Sequence, residues 1–464
     1  MTQADERASE VDKQTAGPAD LEGALKAADL EWRALAPDDD AFLVDGVRPG
    51  HLCIPGSVDE LSAAVRAASG AGASVVPRGG GTRMTLGFPP SSADLVVQTE
   101  RLNEIVEYEP ADLTVTVQAG MKMADLQARL RAEGQMLALD PAAADRATIG
   151  GLIAANASGP LRLLYGTARD LVIGTRVVNA DGVISKAGGR VVKNVAGYDL
   201  NKLYVGSLGT VGVIVELSFK LHPLPQAQGM LLAAFASATD AAEAIGKLMR
   251  SPLGPAAVEL LDAGAASALP GSPPVDENGV LLVVAATGFE KAVQRQLNDV
   301  GDLCVSASER ATVREGDVLD GLWTALRELP DPSPPGIALL KLAVPPARSA
   351  VATTTARDAA RDAGFTPSTQ AHAGSGVVYL KLQPDAWNPD AIASLTTLVA
   401  RLRAFVRGEG GSLVLEACPV AAKHGDSGID PWGDVGSGFP VMRALKENLD
   451  RKRTLNPGRF VSRL

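Results

Sequence analysis

The sequence predicts an α+β protein in two domains, on three observations. Strand-like and helix-like segments alternate over residues 48–225 without the steady strand–helix–strand rhythm of a parallel α/β fold. After Pro223-Leu224-Pro225 the composition shifts to alanine-rich helices between short strands. The 464 residues also exceed what one ordinary core organises, at roughly 100–200 residues per domain. The expected layout is an extension over 1–47, partly disordered with one short helix, a first domain over 48–225 and a second over 226–464.

Residues 1 to about 20 are polar and are expected to be disordered. Apolar residues at near-helical spacing (Leu21, Leu25, Ala28) predict a helix over Leu21–Leu35, before the turn-prone Pro37-Asp38-Asp39-Asp40. From His51 the text reads strand, cap, helix, strand and glycine loop. Ser57 and Glu60 stand as a capping box, Leu61, Val65 and Ala68 continue an apolar stripe, and Gly70 and Gly72 stop the helix. Strands are predicted at Ser74–Val76, Leu95–Val97, Ile105–Tyr108 and Leu113–Val117, then a helix over Met123–Glu133 ending at Gly134. A small-residue helix follows Ala147. The strands Leu171–Asn179 and Val183–Lys186 flank an Asp181-Gly182 hairpin turn, and Val211–Leu221 closes the domain. In the second domain Val280–Ala285, Ile337–Val344 and Val377–Leu382 read as strands, and the chain ends in a basic amphipathic helix and an Asn456-Pro457-Gly458 turn. No repeat of fixed period is visible.

The net charge of −10 leaves no long-range field to recruit nucleic acid or anionic lipid, so any anionic ligand must be held locally. Cys53, Cys304 and Cys418 form neither a disulfide framework nor a CxxC motif, which fits reduced thiols in a cytoplasmic protein. No apolar run reaches the roughly 18 residues of a membrane helix, and the acidic N-terminus is no signal peptide.

Two glycine-rich stretches point to a large anionic ligand. In Pro77-Arg78-Gly79-Gly80-Gly81-Thr82, consecutive glycines after a buried strand let successive amides converge on an anion, although the same residues also fit a flexible turn. The spacing matches neither the Walker A loop nor GxGxxG. The second stretch, Ala147–Pro225, carries glycines, often in pairs, with the short hydroxyls of Ser158 and Thr210 among them.

Together the glycine loop, GGLIAANASG, RDLVIG and GSLGTVG resemble, in order and spacing, the flavin-binding segments of the FAD-linked oxidases of the vanillyl-alcohol oxidase superfamily. SGPLRLLYGTARD, GGRVVKNVAGYDLNKLYVGSLGTVG, DPWGD and LNPGRF resemble the smaller FAD-binding subunit, the E subunit, of bacterial glycolate oxidase. The likeness is dense over about residues 50–225 and the last 50 and thin between. It implies a p-cresol methylhydroxylase-type (PCMH-type) FAD-binding domain with an α+β cap domain. It further implies that Gly79, Gly80, Gly81 and Thr82 cradle the pyrophosphate, with Pro77 and Arg78 shaping the turn. Asp140, Pro141, Gly150, Gly151, Ala154, Ser158 and Gly159 would line the ribityl and isoalloxazine side. Gly166, Arg169, Asp170 and Val172 would reach the adenosine half, and Gly209, Thr210 and Val213 would close the site. Covalent members often carry histidine just after the glycines, so Thr82 implies non-covalent FAD.

The resemblance also implies oxidation of a 2-hydroxy acid such as glycolate. A base takes the hydroxyl proton and cations hold the carboxylate. Arg327 in WTALRE and Lys341 in LLKLAVP resemble substrate-binding basic residues, though each also reads as a solvated cation. His372 opens HAGSGVVY, which resembles a motif whose two histidines ligate a divalent metal. Tyr379 replaces the second, and Glu416-Ala417 stands where the family has Glu-His. Two of four ligand positions remain, so no metal is expected. Three roles stay open: a subunit of a glycolate oxidase complex with a second flavin subunit and an iron–sulfur subunit, a free-standing dehydrogenase with His372 as base, or a non-catalytic FAD-binding scaffold. In the first, association with the inner membrane is peripheral and runs through the partners.

Overall fold

The computed structural model describes residues 20–189, 198–424 and 428–464. The expected N-terminal disorder over 1–19 and the 190–197 part of the resemblance segment lie outside the described residues.

The N-terminal half holds two sheets, and the helix Val58–Ala71 shares a core with both. The first has four strands in the order Trp32–Ala34, His51–Cys53, Leu95–Gln98, Val75–Arg78, the last three parallel. The helix Val58–Ala71 covers it, capped as expected: the Ser57 hydroxyl accepts from the Glu60 amide at 3.1 Å, and Glu60 accepts from the Gly56 amide at 2.8 Å. Its apolar face, Leu61, Ala64, Val65 and Ala68, is buried against Val75, Leu95 and Val97. The second sheet is antiparallel, in the order Ile105–Glu109, Thr114–Gln118, Val213–Lys220, Val172–Val178, Ile184–Gly188. It packs on the helices Met123–Ala132 and Ile149–Ala154. One expectation fails at the start: the helix from Leu21 stops at Ala27, and Trp32–Ala34 is a strand paired to His51–Cys53. Only Leu21 and Leu25 of that helix are buried, so the third apolar residue marks its C-cap rather than a continuing stripe.

The second half is one eight-stranded antiparallel sheet in the order Glu309–Val313, Ala227–Phe235, Val280–Gly288, Ala257–Asp262, Pro367–His372, Val377–Leu382, Ala338–Ala343, Ser412–Ala417. Chain order resolves this into a βαββαβ unit twice over. The first runs from Ala227 to Val313 with helices Ala238–Arg250 and Glu290–Leu303. The second runs from Ala338 to Ala417 with helices Ser349–Asp362 and Pro389–Gly408. The units join edge to edge through Ala257–Asp262 and Pro367–His372. The sequence shows no such duplication.

All four helices lie on one face, over a core of Val258, Leu260, Leu340, Leu342, Val378, Leu380, Leu413 and Leu415 among others. Alternation along each strand sends the intervening residues to the other face. The helix Asp317–Glu328 covers part of that face through Leu319, Leu322 and Leu326. The chain then returns to the first half: Leu455 bridges Val75 in parallel and joins the core under the four-stranded sheet.

Candidate active site: a glycine crevice and a polar row

The crevice lies between the ends of strands from the two N-terminal sheets. The loop Pro77–Thr82 leaves the strand Val75–Arg78, Ala119 follows Thr114–Gln118, and residues 208–214 lead into Val213–Lys220. With Thr148–Ala155 they line an open crevice. Pro77, Arg78, Gly79, Gly80, Gly81, Thr82, Gly150, Gly151, Ala154, Gly209 and Val213 all line it. The two distant glycine stretches form one cradle.

The glycines serve two purposes. A Cβ on Gly80 would stand 1.8 Å from the Arg146 carbonyl oxygen, and one on Gly79 would stand 2.0 Å from the Thr148 hydroxyl, so the loop packs directly on the second stretch. Gly81 and Gly209 have φ of +71° and +67°, where a side chain strains the backbone. The amides of Gly79, Gly80 and Gly81 donate to no protein acceptor among the described residues, as an anion nest requires.

The C-terminus completes the cradle through the LNPGRF segment, expected to return toward the cofactor, although neither Asn456 nor Arg459 was singled out from the sequence. Asn456 and Arg459 line the crevice, 2% and 4% exposed. Asn456 donates to the Leu208 carbonyl at 2.6 Å, and Arg459 donates to the Met84 and Leu86 carbonyls at 2.6 and 2.9 Å. Lys423 holds the same loop at the Gly87 carbonyl, 3.0 Å away, and pairs with buried Asp45 at 2.6 Å. The Asn456 Oδ1, Arg459 Nε and Arg78 Nε atoms are buried without a partner. Buried polar atoms left bare around a glycine nest fit a polyphosphate cofactor with a polar ring system.

The other residues expected at the cofactor lie outside this lining. Asp140 is buried and accepts from the Leu161 amide at 3.1 Å; burial pushes its carboxyl up to about 8, against that hydrogen bond and the Arg327 charge. Pro141 is buried beside it. A Cβ on Gly159 would collide with the Asp140 carbonyl at 1.9 Å. The Ser158 hydroxyl accepts from the Ala168 amide at 3.2 Å. Gly166, at φ +88°, turns the chain toward the short helix Ala168–Leu171, which Asp170 caps through Thr167. Arg169 is exposed, Val172 is in the core, and the buried Thr210 hydroxyl donates to the Ser207 carbonyl at 2.7 Å. These residues shape the crevice's surroundings.

The second part is a row of polar side chains on the helix-free face of the eight-stranded sheet. Strand register sets Glu259 opposite His372, Gln370 opposite Tyr379, and Tyr379 opposite Lys341. Glu416 reaches this face by strand alternation, two residues on from Val414, which pairs Lys341; a register shift follows, where Leu340 pairs Leu415 and Leu339 pairs Ala417. Lys341 Nζ lies 2.9 Å from Glu416 Oε1, and Arg83 Nη1 of the crevice wall lies 2.6 Å from Oε2. Burial alone would raise the Glu416 carboxyl, but Lys341 and Arg83 together hold it down at about 2. Burial pushes the Lys341 ammonium down, but Glu416 and Tyr379 together hold it above its ordinary value. Through Arg83 the row touches the crevice.

His372 is 2% exposed, with Nδ1 2.8 Å from both oxygens of Glu259, and its ring meets Tyr379 edge-on at 5.5 Å. Arg327, on the helix over this face, donates to the Thr324 hydroxyl at 3.2 Å and keeps a buried, unpartnered Nε. Sequence reasoning found His372, Lys341 and Arg327. It missed Glu259 and Arg83; only the position of Arg83, directly after the glycine loop, was a usable signal. Among the described residues, no three His, Cys, Asp or Glu side chains gather as a metal site.

A backbone cradle for a polyphosphate cofactor, opening onto a buried row of cations, carboxylates and a histidine, defines a flavin-dependent oxidoreductase. Comparison with known proteins agrees. Residues 49–188 match the FAD binding domain family, and residues 224–416 match the C-terminal domain of the FAD linked oxidases. The chain is 31% identical over 432 residues to glycolate oxidase subunit GlcD of Bacillus subtilis, covering 89% of each chain. It is 28% identical over 426 residues to the D-lactate dehydrogenase of Archaeoglobus fulgidus, covering 88% of this chain and 91% of that one. Its likeness to glycolate oxidase subunit GlcE of Escherichia coli is 40% over 154 residues, 33% of this chain and 43% of that one. The E-subunit resemblance is thus confined to part of the chain, whereas the D-subunit likeness runs nearly end to end. The fold matches substrate-bound p-cresol methylhydroxylase with a TM-score of 0.74 at 16% identity, covering 99% of this chain and 97% of that one. The chain belongs to the FAD-linked oxidases and is an FAD-dependent enzyme with a PCMH-type fold.

Proposed function

We propose that this chain oxidises a small 2-hydroxy acid, glycolate or a close analogue, as the FAD-binding subunit of a glycolate oxidase. One observation carries the reading: Arg83 of the cofactor crevice shares Glu416 with Lys341 of the polar row, which ties a cation of that row to the crevice wall. The Gly79–Gly81 amides, Asn456 and Arg459 hold the cofactor, without a covalent bond because Thr82 stands where covalent members often carry the histidine that bonds the flavin. When bound, FAD supplies the two-electron acceptor that takes up the α-hydrogen. Arg327 and Lys341 orient the substrate carboxylate, and His372 accepts the hydroxyl proton. The buried row excludes water from that proton transfer.

Relatives named as subunits of glycolate oxidase support a place in a complex with a second flavin subunit and an iron–sulfur subunit. Membrane attachment then runs through the partners; among the described residues no helix is long and apolar enough to cross a membrane. Anaerobic addition of glycolate or D-lactate to the purified yellow protein is expected to bleach the visible flavin band. Intact colour with every short 2-hydroxy acid would contradict the reading.

A further inference from the structure

His372 and Glu259 form a dyad whose geometry assigns a proton position. Glu259 and His372 are register partners on the two strands that join the βαββαβ units, so the dyad sits on the seam of the sheet. Both carboxylate oxygens lie 2.8 Å from Nδ1. Gln370 fixes the carboxylate, donating from Nε2 to Glu259 Oε2 at 2.7 Å and to the Leu326 carbonyl at 3.0 Å. A carboxylic acid would aim its single O–H at one acceptor. Two near-equal contacts to one ring nitrogen, with an amide donor on the same group, fit an ionised carboxylate receiving an N–H. The ring then carries an N–H at Nδ1, and in the neutral imidazole Nε2 carries the lone pair. Nε2 is buried and has no partner in the protein, an arrangement that costs stability unless a ligand group completes it.

We propose that Glu259 is a positioning residue that holds His372 as the Nδ1–H tautomer, aiming a bare Nε2 at the substrate hydroxyl. This deepens the hydroxy-acid reading and rests on it. The substrate O–H proton goes to Nε2, the carbon–oxygen double bond forms, and the α-hydrogen leaves with its electron pair to the flavin acceptor. The buried Glu259 carboxylate favours the step, because protonation of Nε2 turns a lone buried anion into an ion pair. Tyr379 stacks its ring edge-to-face with the imidazole and limits its rotation.

Two measurements on the FAD-loaded protein test this. Long-range proton–nitrogen NMR of histidine-labelled protein is tractable, because the chain has four histidines and His372→Asn assigns the signal. The expected spectrum shows Nδ1 protonated and Nε2 bare. In Glu259→Gln, whose amide can donate to Nδ1, the proton is expected to move to Nε2. Stopped-flow flavin reduction by the acid that bleaches the wild type is expected to slow at least about 100-fold in Glu259→Gln, with substrate affinity changed less than about 3-fold. Adding His372→Asn should slow it little further, since the two residues act as a unit. A protonated Nε2 in the wild type, or reduction by Glu259→Gln at the wild-type rate, overturns the proposal. If no acid bleaches the wild type, the hydroxy-acid reading fails, and the wild-type spectrum alone decides the dyad: a bare Nε2 upholds it and a protonated one overturns it.

Discussion

The crevice and the polar row meet at Arg83 yet are built in opposite ways. The crevice is made from backbone: its glycines matter for what they lack, and its unpartnered amides present donors that no side chain supplies. The row is made from side chains spaced by strand register, each useful only because a neighbouring strand sets it beside the next. A backbone site therefore fails when atoms are added and a side-chain site fails when atoms are removed. The two halves of this active site should break separately.

The largest effect is expected in the crevice. Gly80→Val places Cβ on the Arg146 carbonyl, separates the two glycine stretches and should abolish FAD binding; a flavin assay showing full stoichiometry would break the contrast. In the row, Glu416→Gln leaves Lys341 and Arg83 facing each other without their carboxylate, at a cost of about 3 kcal/mol in denaturant unfolding, with FAD retained if the flavin is kept saturating. The sign of the matching pH effect follows from the depressed carboxyl. The Glu416 contribution is fully present above its ordinary value of 4.5 and is lost as pH falls toward about 2, so the variant should show a flattened acid limb.

Asp140 has the reverse sign. Its carboxyl is raised from 3.8 to about 8, so the folded protein keeps a proton that the unfolded chain releases, and stability falls as pH rises between those values. Asp140→Asn should remove a slope of about 1.4 kcal/mol per pH unit across that window, measured as unfolding midpoints at several pH values. The smallest effect belongs to neither region: Arg401→Ala, breaking an exposed pair with Asp362 at 2.8 Å, should change stability by no more than about 0.5 kcal/mol.

The same contrast explains what could be read from the sequence. The crevice was legible because glycine runs advertise backbone work: Gly79–Gly81 alone also fit a flexible turn, but with Gly150-Gly151 and the later motifs in order they point to one cradle. The row was not. Glu259 in Ala-Val-Glu-Leu-Leu-Asp reads as a solvated position in an alternating strand, and only pairing with Pro367–His372 turns it toward His372. The contact of Glu416 with Arg83 joins residues 333 apart in the chain, which no local pattern marks. The duplicated βαββαβ unit escaped for a related reason, since it lives in strand order and its two copies share no visible text. The helix drawn from Leu21 to Leu35 failed because apolar spacing cannot show that Trp32–Ala34 pairs with His51–Cys53. Arg169, Asp170 and Val172 were carried over from a motif whose local work here is to cap and bury a short helix.

The central claim is that one chain joins a backbone cradle for FAD to a side-chain row that handles a hydroxy acid. Its most direct test is an anaerobic titration of Lys341→Met protein, followed by flavin absorbance beside the wild type. The account predicts equal FAD content in both and bleaching by the acid in the wild type, with reduction slowed at least about 100-fold in the variant. Equal bleaching in the two proteins would contradict it.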